Sequence, residues 1–212
     1  IKQVSTKLRL INSEGSAARR ENPEAIRNLE KQIANHGEQQ VIEKNAYIWF
    51  NRLCALRFMD ANGYTRIAVV SPKQDQTQPE ILVEAKSGYF DDSLTPTEAQ
   101  NQVLSFIDRS SPSNNPESEA YRLLLVSACN YYHKAMPYLF AQISDFTELL
   151  MPDNLLSSGS VMRNALEVMT DESCKEVEII GWLYQYYISE KKDEVFAGLK
   201  KNKKITPENI PA

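Results

Sequence analysis

Asn22-Pro23-Glu24, Thr95-Pro96-Thr97-Glu98 and Asn115-Pro116-Glu117 each set a capping side chain directly before a proline, with an acid close behind. The cap oxygen accepts an otherwise orphaned backbone N–H, the proline presets φ for the first turn, and the acid complements the helix dipole. Three such starts, with only seven glycines in 212 residues, constrain the fold more than any bulk property does. The expected class is all-α, an irregular multi-helix domain.

Apolar residues at helical spacing follow each start. Ala25, Ile26, Leu29 and Ile33 form the first inner face, and Asn35-His36-Gly37 closes or bends that helix. Ala99, Val103, Phe106 and Ile107 follow the second start, and Tyr121, Leu124, Leu125, Ala128 and Tyr132 follow the third. Asp145 to Glu148 and Ser173 to Glu176 repeat the capping-box spacing, and Ser160 is placed to cap a short helix carrying Val161, Leu166 and Met169.

The segment from Glu38 to Ala61 carries Ile42, Ala46, Trp49, Leu53 and Leu56 on one seam, widened by Tyr47, Phe50, Cys54 and Phe58. A helix apolar nearly all round is a central one. Asp60-Ala-Asn62-Gly63 stops it, because Asn and Gly readily enter the left-handed region of a C-cap. Between Tyr64 and Gly88 the helical pattern weakens to the β-branched run Arg66 to Val70 and the loop Ser71 to Pro79. At most a small extended arm or hairpin is expected near residues 64–78.

A composition 42% hydrophobic and 25% charged supports a packed core. No run approaches the roughly 18 consecutive apolar residues that would cross a bilayer, so no membrane partner is expected. Cys54, Cys129 and Cys174 are far apart and form no paired motif, which fits a reducing, cytoplasmic setting. The net charge of -4 confines any nucleic-acid contact to a local surface. Ile1 in place of an initiator Met suggests a piece of a longer chain.

Three stretches resemble the PglX family of adenine-specific DNA methyltransferases, which serve bacterial phage exclusion (BREX). They are Gln40 to Thr65 (QVIEKNAYIWFNRLCALRFMDANGYT), Thr77 to Gly88 (TQPEILVEAKSG) and the C-terminal segment Ser173 to Ala212. The resemblance implies that residues 1–190 are the N-terminal helical domain and that residues 191–212 are a basic helix or linker leading to a catalytic core outside this chain. It also implies S-adenosylmethionine as the cofactor of the parent enzyme. The expected partners are DNA through the full enzyme, its own methyltransferase core and other phage-defence components.

The chemistry itself is missing from this sequence. Adenine-N6 methylation uses a glycine-rich turn for the cofactor and an Asn/Asp-Pro-Pro-aromatic loop for the flipped base. None of the ten prolines are adjacent, and no two of the seven glycines stand as Gly-x-Gly. No catalytic, cofactor-binding or metal residue is therefore assigned. The expected role is support of the core, of the DNA cleft or of complex assembly.

Two alternatives come from other classes. Asp75, Glu84 and Lys86 have the acid, Glu-x-Lys pattern of a restriction nuclease, in which carboxylates hold Mg²⁺ at a sheet edge. However, Thr77 to Glu80 reads as a helix start and Gly88 as its stop, and a helix over 79–87 dismisses the nuclease. The other alternative is a protein-interaction module without DNA contact.

Lys200, Lys201, Lys203 and Lys204, after Lys191 and Lys192, form a concentrated basic run. It is read either as a phosphate contact or as a solvated linker. Trp182, Tyr184 and Tyr187 read as packing, with Tyr186 the exposed ring. Arg52 and Arg57 read as buried ion-pair partners of acids such as Glu43 or Asp60, and His133 as a helix-end residue favoured by the dipole. Cys174 falls in an expected first helical turn and reads as structural.

Overall fold

The computed structural model describes residues 1–13, 16–137, 139–140, 143, 146–176, 178 and 181. The chain divides into two compact units, Ile1–Met169 and Thr170–Ala212. The described residues of the first contain nine α-helices and no strand, so the fold is all-α. They are α1 Lys2–Asn12, α2 Ala17–Glu21, α3 Pro23–His36, α4 Glu38–Ala61, α5 Glu80–Lys86, α6 Thr97–Ile107, α7 Pro116–His133, α8 Phe146–Leu149 and α9 Val161–Val168.

Helix α4 is the spine, with the limits read from the sequence. Its first half inserts Val41 and Ile42 into an apolar cluster with Val4, Leu8 and Ile11 of α1, Ile26 and Leu29 of α3, and Leu150. Its second half inserts Trp49, Leu53, Leu56 and Met59 into a larger cluster with Val103 of α6 and Tyr121, Leu124, Leu125 and Ala128 of α7. Burying one such aliphatic side chain stabilises by about 1.5–3 kcal/mol. A helix that serves two cores must be apolar on most of its circumference, which is why its pattern lacks a clean polar stripe.

The caps follow local chemistry. Asn115 accepts from Ser118 N at 3.3 Å, and Ser160 accepts from Arg163 N at 3.1 Å. Gly37 ends α3 and begins α4 at φ 85°, its N–H bonded to Ile33 O and its carbonyl to Val41 N. Three expected caps fail. Asn22 precedes Pro23 at the start of α3, but its side chain makes no capping hydrogen bond. No side chain caps α6, which begins at Thr97 with Thr95 buried behind it. In the second unit Ser173 opens a 3-10 turn, Ser173–Lys175, and its hydroxyl donates back to Thr170 O instead of capping a helix.

The segment 64–79 is no projecting arm. Ile67, Val69 and Val70 are buried in the larger core, and the sole β-type pairing recorded among the described residues is the Pro72–Pro79 bridge. The β-branched residues are there for packing, and their backbone groups find partners other than a strand.

Candidate functional site

A buried polar junction joins the end of α4 to segment 64–79, α5 and α7. Asp60, in the last turn of α4, accepts from Val69 N at 3.0 Å, from Val70 N and Ser71 N at 2.9 Å, and from the Thr65 hydroxyl at 2.8 Å. Burial raises its carboxyl above the ordinary value, and these four donors oppose that rise. Glu80, the first residue of α5, accepts from Ala68 N at 3.0 Å, and Ile81 N donates to Ala68 O at the same distance. Tyr121 of α7 donates to Val69 O at 3.1 Å. The irregular segment is thus fixed largely by side chains, with the first turn of α5 adding backbone bonds from Glu80 N to Ser71 O and from Ile81 N to Ala68 O.

Arginines complete the junction. Arg57 donates through Nε to Met169 O at 2.7 Å and through Nη1 to the Ser71 hydroxyl at 2.9 Å. Arg52 lies over the Trp49 ring, 4.9 Å from its centroid. Both are buried, so neither is positioned to meet DNA. Asp60, one of the acids that the sequence offered to Arg52 and Arg57, is spent on three backbone N–H groups and the Thr65 hydroxyl.

At the surface above the junction, Lys73 bonds Glu84 and pairs with Glu80 at 3.1 Å, and these hydrogen bonds hold its ammonium above its ordinary value. Lys86 bonds Glu117 at 2.6 Å and Gln78 at 2.8 Å. The Lys86 hydrogen bond holds the Glu117 carboxyl below its usual range. Arg163 of α9 donates to Thr77 O at 2.8 Å, and Arg66 pairs with Asp91 at 3.3 Å. Segment 64–79 is therefore tethered at its surface through Arg66, Lys73 and Thr77 as well.

The nuclease pattern does not assemble. Glu84 and Lys86 lie on α5, bonded to different partners, while Asp75 sits in the exposed loop at φ 63°. Among the described residues there is no sheet edge to bring them together, and no group of three or more His, Cys, Asp or Glu is arranged around a metal position.

His133 closes α7 with Nδ1 2.7 Å from Phe140 O, so that nitrogen carries the proton. Cys54, Cys129 and Cys174 are buried, and burial pushes the Cys129 thiol up to about 12. Lys200, Lys201, Lys203 and Lys204, with Lys191, Lys192 and the ring residues Trp182, Tyr184, Tyr186 and Tyr187, lie outside the described residues. So does Asp145, the expected cap of α8.

Sequence reasoning missed Asp60, Glu80 and Tyr121 as anchors. Asp60 did carry a signal: an acid in the last turn of a helix opposes the dipole and needs another reason to be there.

No family model matches the chain. It is 38% identical over 186 residues to the adenine-specific methyltransferase BrxX of Escherichia coli O9:H4 (strain HS), covering 87% of this chain and 14% of that protein. It is 34% identical over 178 residues to the adenine-specific methyltransferase PglX of Lacticaseibacillus casei (strain Zhang), covering 81% of this chain and again 14% of the relative. Over most of its own length the chain is therefore a homologue of one segment of the PglX-type adenine-specific methyltransferases.

Proposed function

We propose that this chain is the N-terminal helical domain of a site-specific DNA adenine-N6 methyltransferase of a phage-defence system, and that its role there is architectural. The observation carrying this reading is the 38% identity to BrxX across 87% of the chain. The sequence supports the division of labour, since it lacks both the glycine-rich turn and the paired prolines that the chemistry needs. S-adenosylmethionine and the flipped adenine are then bound by the rest of the enzyme.

On this reading residues 1–190 buttress the core, one wall of the DNA cleft or the assembly of the defence complex, and residues 191–212 connect to the core. On the same reading, Lys200, Lys201, Lys203 and Lys204 supply positive charge for phosphates near that connection. Deleting the matching segment from the full-length enzyme tests the proposal. Folding yield, DNA affinity, adenine-N6 methylation and co-purification of defence components are measured together. Loss of at least one is expected, and no change in any of them refutes the architectural role.

A further inference from the structure

The first 36 residues carry seven lysines and arginines against four glutamates, whereas residues 37–212 carry seventeen against twenty-four. An acidic chain thus has a basic end, and the fold draws part of that excess together. Arg19 of α2 donates through Nε to Ile11 O and through Nη2 to Asn12 Oδ1, each at 3.2 Å, and pairs with Glu30 at 2.9 Å. This clamp ties the end of α1 to the middle of α3.

Arg9, Arg20, Arg27 and Lys31 each lie within three residues of one of the clamp's anchor points, and all four are exposed. At about 100° per residue, Arg9 stands opposite the buried Val4, Leu8 and Ile11 of α1. Arg27 and Lys31 share the ridge of α3 opposite Ile26 and Leu29. Glu24, one turn before Arg27, subtracts one charge from that ridge.

Several cations elsewhere on the described surface are neutralised internally, although Lys2, Lys44, Arg109 and Lys175 are not; what sets Arg9, Arg20, Arg27 and Lys31 apart is that they are concentrated around one clamp. Arg66, Lys73, Lys86 and Arg122 each have a carboxylate within salt-bridge distance. Among the described residues, none is paired with Arg9, Arg20, Arg27 or Lys31. Exposed cations without a salt-bridge partner, gathered around a clamp and only partly offset by the exposed Glu21 and Glu24, suit a ligand that brings many anionic oxygens. Phosphate contacts of this kind position a protein on a duplex without reading bases.

We infer that the face formed by Arg9, Arg20, Arg27 and Lys31 binds the phosphate backbone of duplex DNA. The inference rests on the reading of this chain as part of a DNA-modifying enzyme and extends it to a surface independent of the lysine run at 200–204. The test titrates the 212-residue chain into a labelled duplex of about 30 base pairs by fluorescence anisotropy, between about 50 and 200 mM salt. Micromolar binding that weakens with salt is expected.

Combining Arg9→Gln, Arg20→Gln and Arg27→Gln should weaken binding about tenfold or more and reduce the log–log salt slope by about 2–3, near 0.9 per lost phosphate contact. The paired-cation control Arg66→Gln with Lys86→Gln should leave affinity and slope unchanged. Circular dichroism melting verifies that both variants fold. An unchanged slope in the arginine variant overturns the inference. So does competition by polyglutamate as effective, charge for charge, as that by duplex, since the partner would then be an acidic polypeptide. Methylation by the enzyme lacking the matching segment is a separate readout, so the two readings fail independently.

Discussion

Tyr121 donates its hydroxyl hydrogen to Val69 O across 3.1 Å, joining the first half of α7 to an irregular segment 52 residues earlier. The ring is fully buried, and burial holds the phenol well above its ordinary value. Tyr121→Phe keeps the ring and removes only the donor, leaving a carbonyl that has been taken out of water. A loss of about 1–3 kcal/mol is expected from urea unfolding, with the slope m unchanged. A loss of only a few tenths would mean that water replaces the hydroxyl and that segment 64–79 is less closed than its packing indicates.

Asp60 should be the costlier position, because three backbone N–H groups and the Thr65 hydroxyl depend on it. Asp60→Asn turns an amide donor toward backbone donors, at a cost of about 3 kcal/mol or more. The pH dependence has a definite sign. With its native carboxyl raised by burial, the folded state holds the proton more tightly than the unfolded state does. This group's contribution is therefore complete below the unfolded value near 3.8 and declines as pH rises through the native value. The stability gap between wild type and Asp60→Asn should narrow as pH rises, and ¹³C NMR should find the Asp60 carboxyl titrating above 3.8. A gap that widens with pH contradicts this.

What the sequence made legible were the features governed by neighbours in the chain. Helix α4 could be read to its last residue because Gly37 and Asn62-Gly63 punctuate it, and Asn115 and Ser160 cap where their spacing says. Segment 64–79 could not be read, since the side chains of Asp60, Glu80 and Tyr121 take up the backbone groups of Ala68, Val69, Val70 and Ser71 that a strand would have paired. Those pairings depend on tertiary packing that no local period encodes. The same applies to Thr95, where burial behind the first turn overrides the capping pattern. For the candidate site, the local rule was enough to place Glu84 and Lys86 on a helix, but it could not identify Glu117 as the partner of Lys86.

Gly63 and Gly88 end α4 and α5 at φ 68° and 78°, and the following residues close the turn, with Tyr64 N bonded to Met59 O and Tyr89 N to Glu84 O. A Cβ at either glycine meets nothing within 4 Å, so substitution has only a conformational cost. Alanine at each should destabilise by about 1–2 kcal/mol, and asparagine, which enters the left-handed region more readily, by less. Equal losses for alanine and asparagine would show that something other than φ governs these turns.

Lys86 and Glu117 test the difference between a catalytic and a structural lysine. Their nitrogen and oxygen are 2.6 Å apart, with side-chain exposures of 29% and 52%. In that much solvent the pair contributes under about 1 kcal/mol. Its effect on titration should be clearer: the Lys86 hydrogen bond depresses the Glu117 carboxyl below 4.5. The associated stability is present above the unfolded value and is lost as pH falls through the depressed native one. Lys86→Met should therefore return the Glu117 titration, followed by ¹³C NMR, toward 4.5 while barely moving the urea midpoint. A Glu117 titration unmoved by the substitution would mean that the pair does not persist in solution, leaving Lys86 free for the chemistry that the helical geometry of α5 argues against.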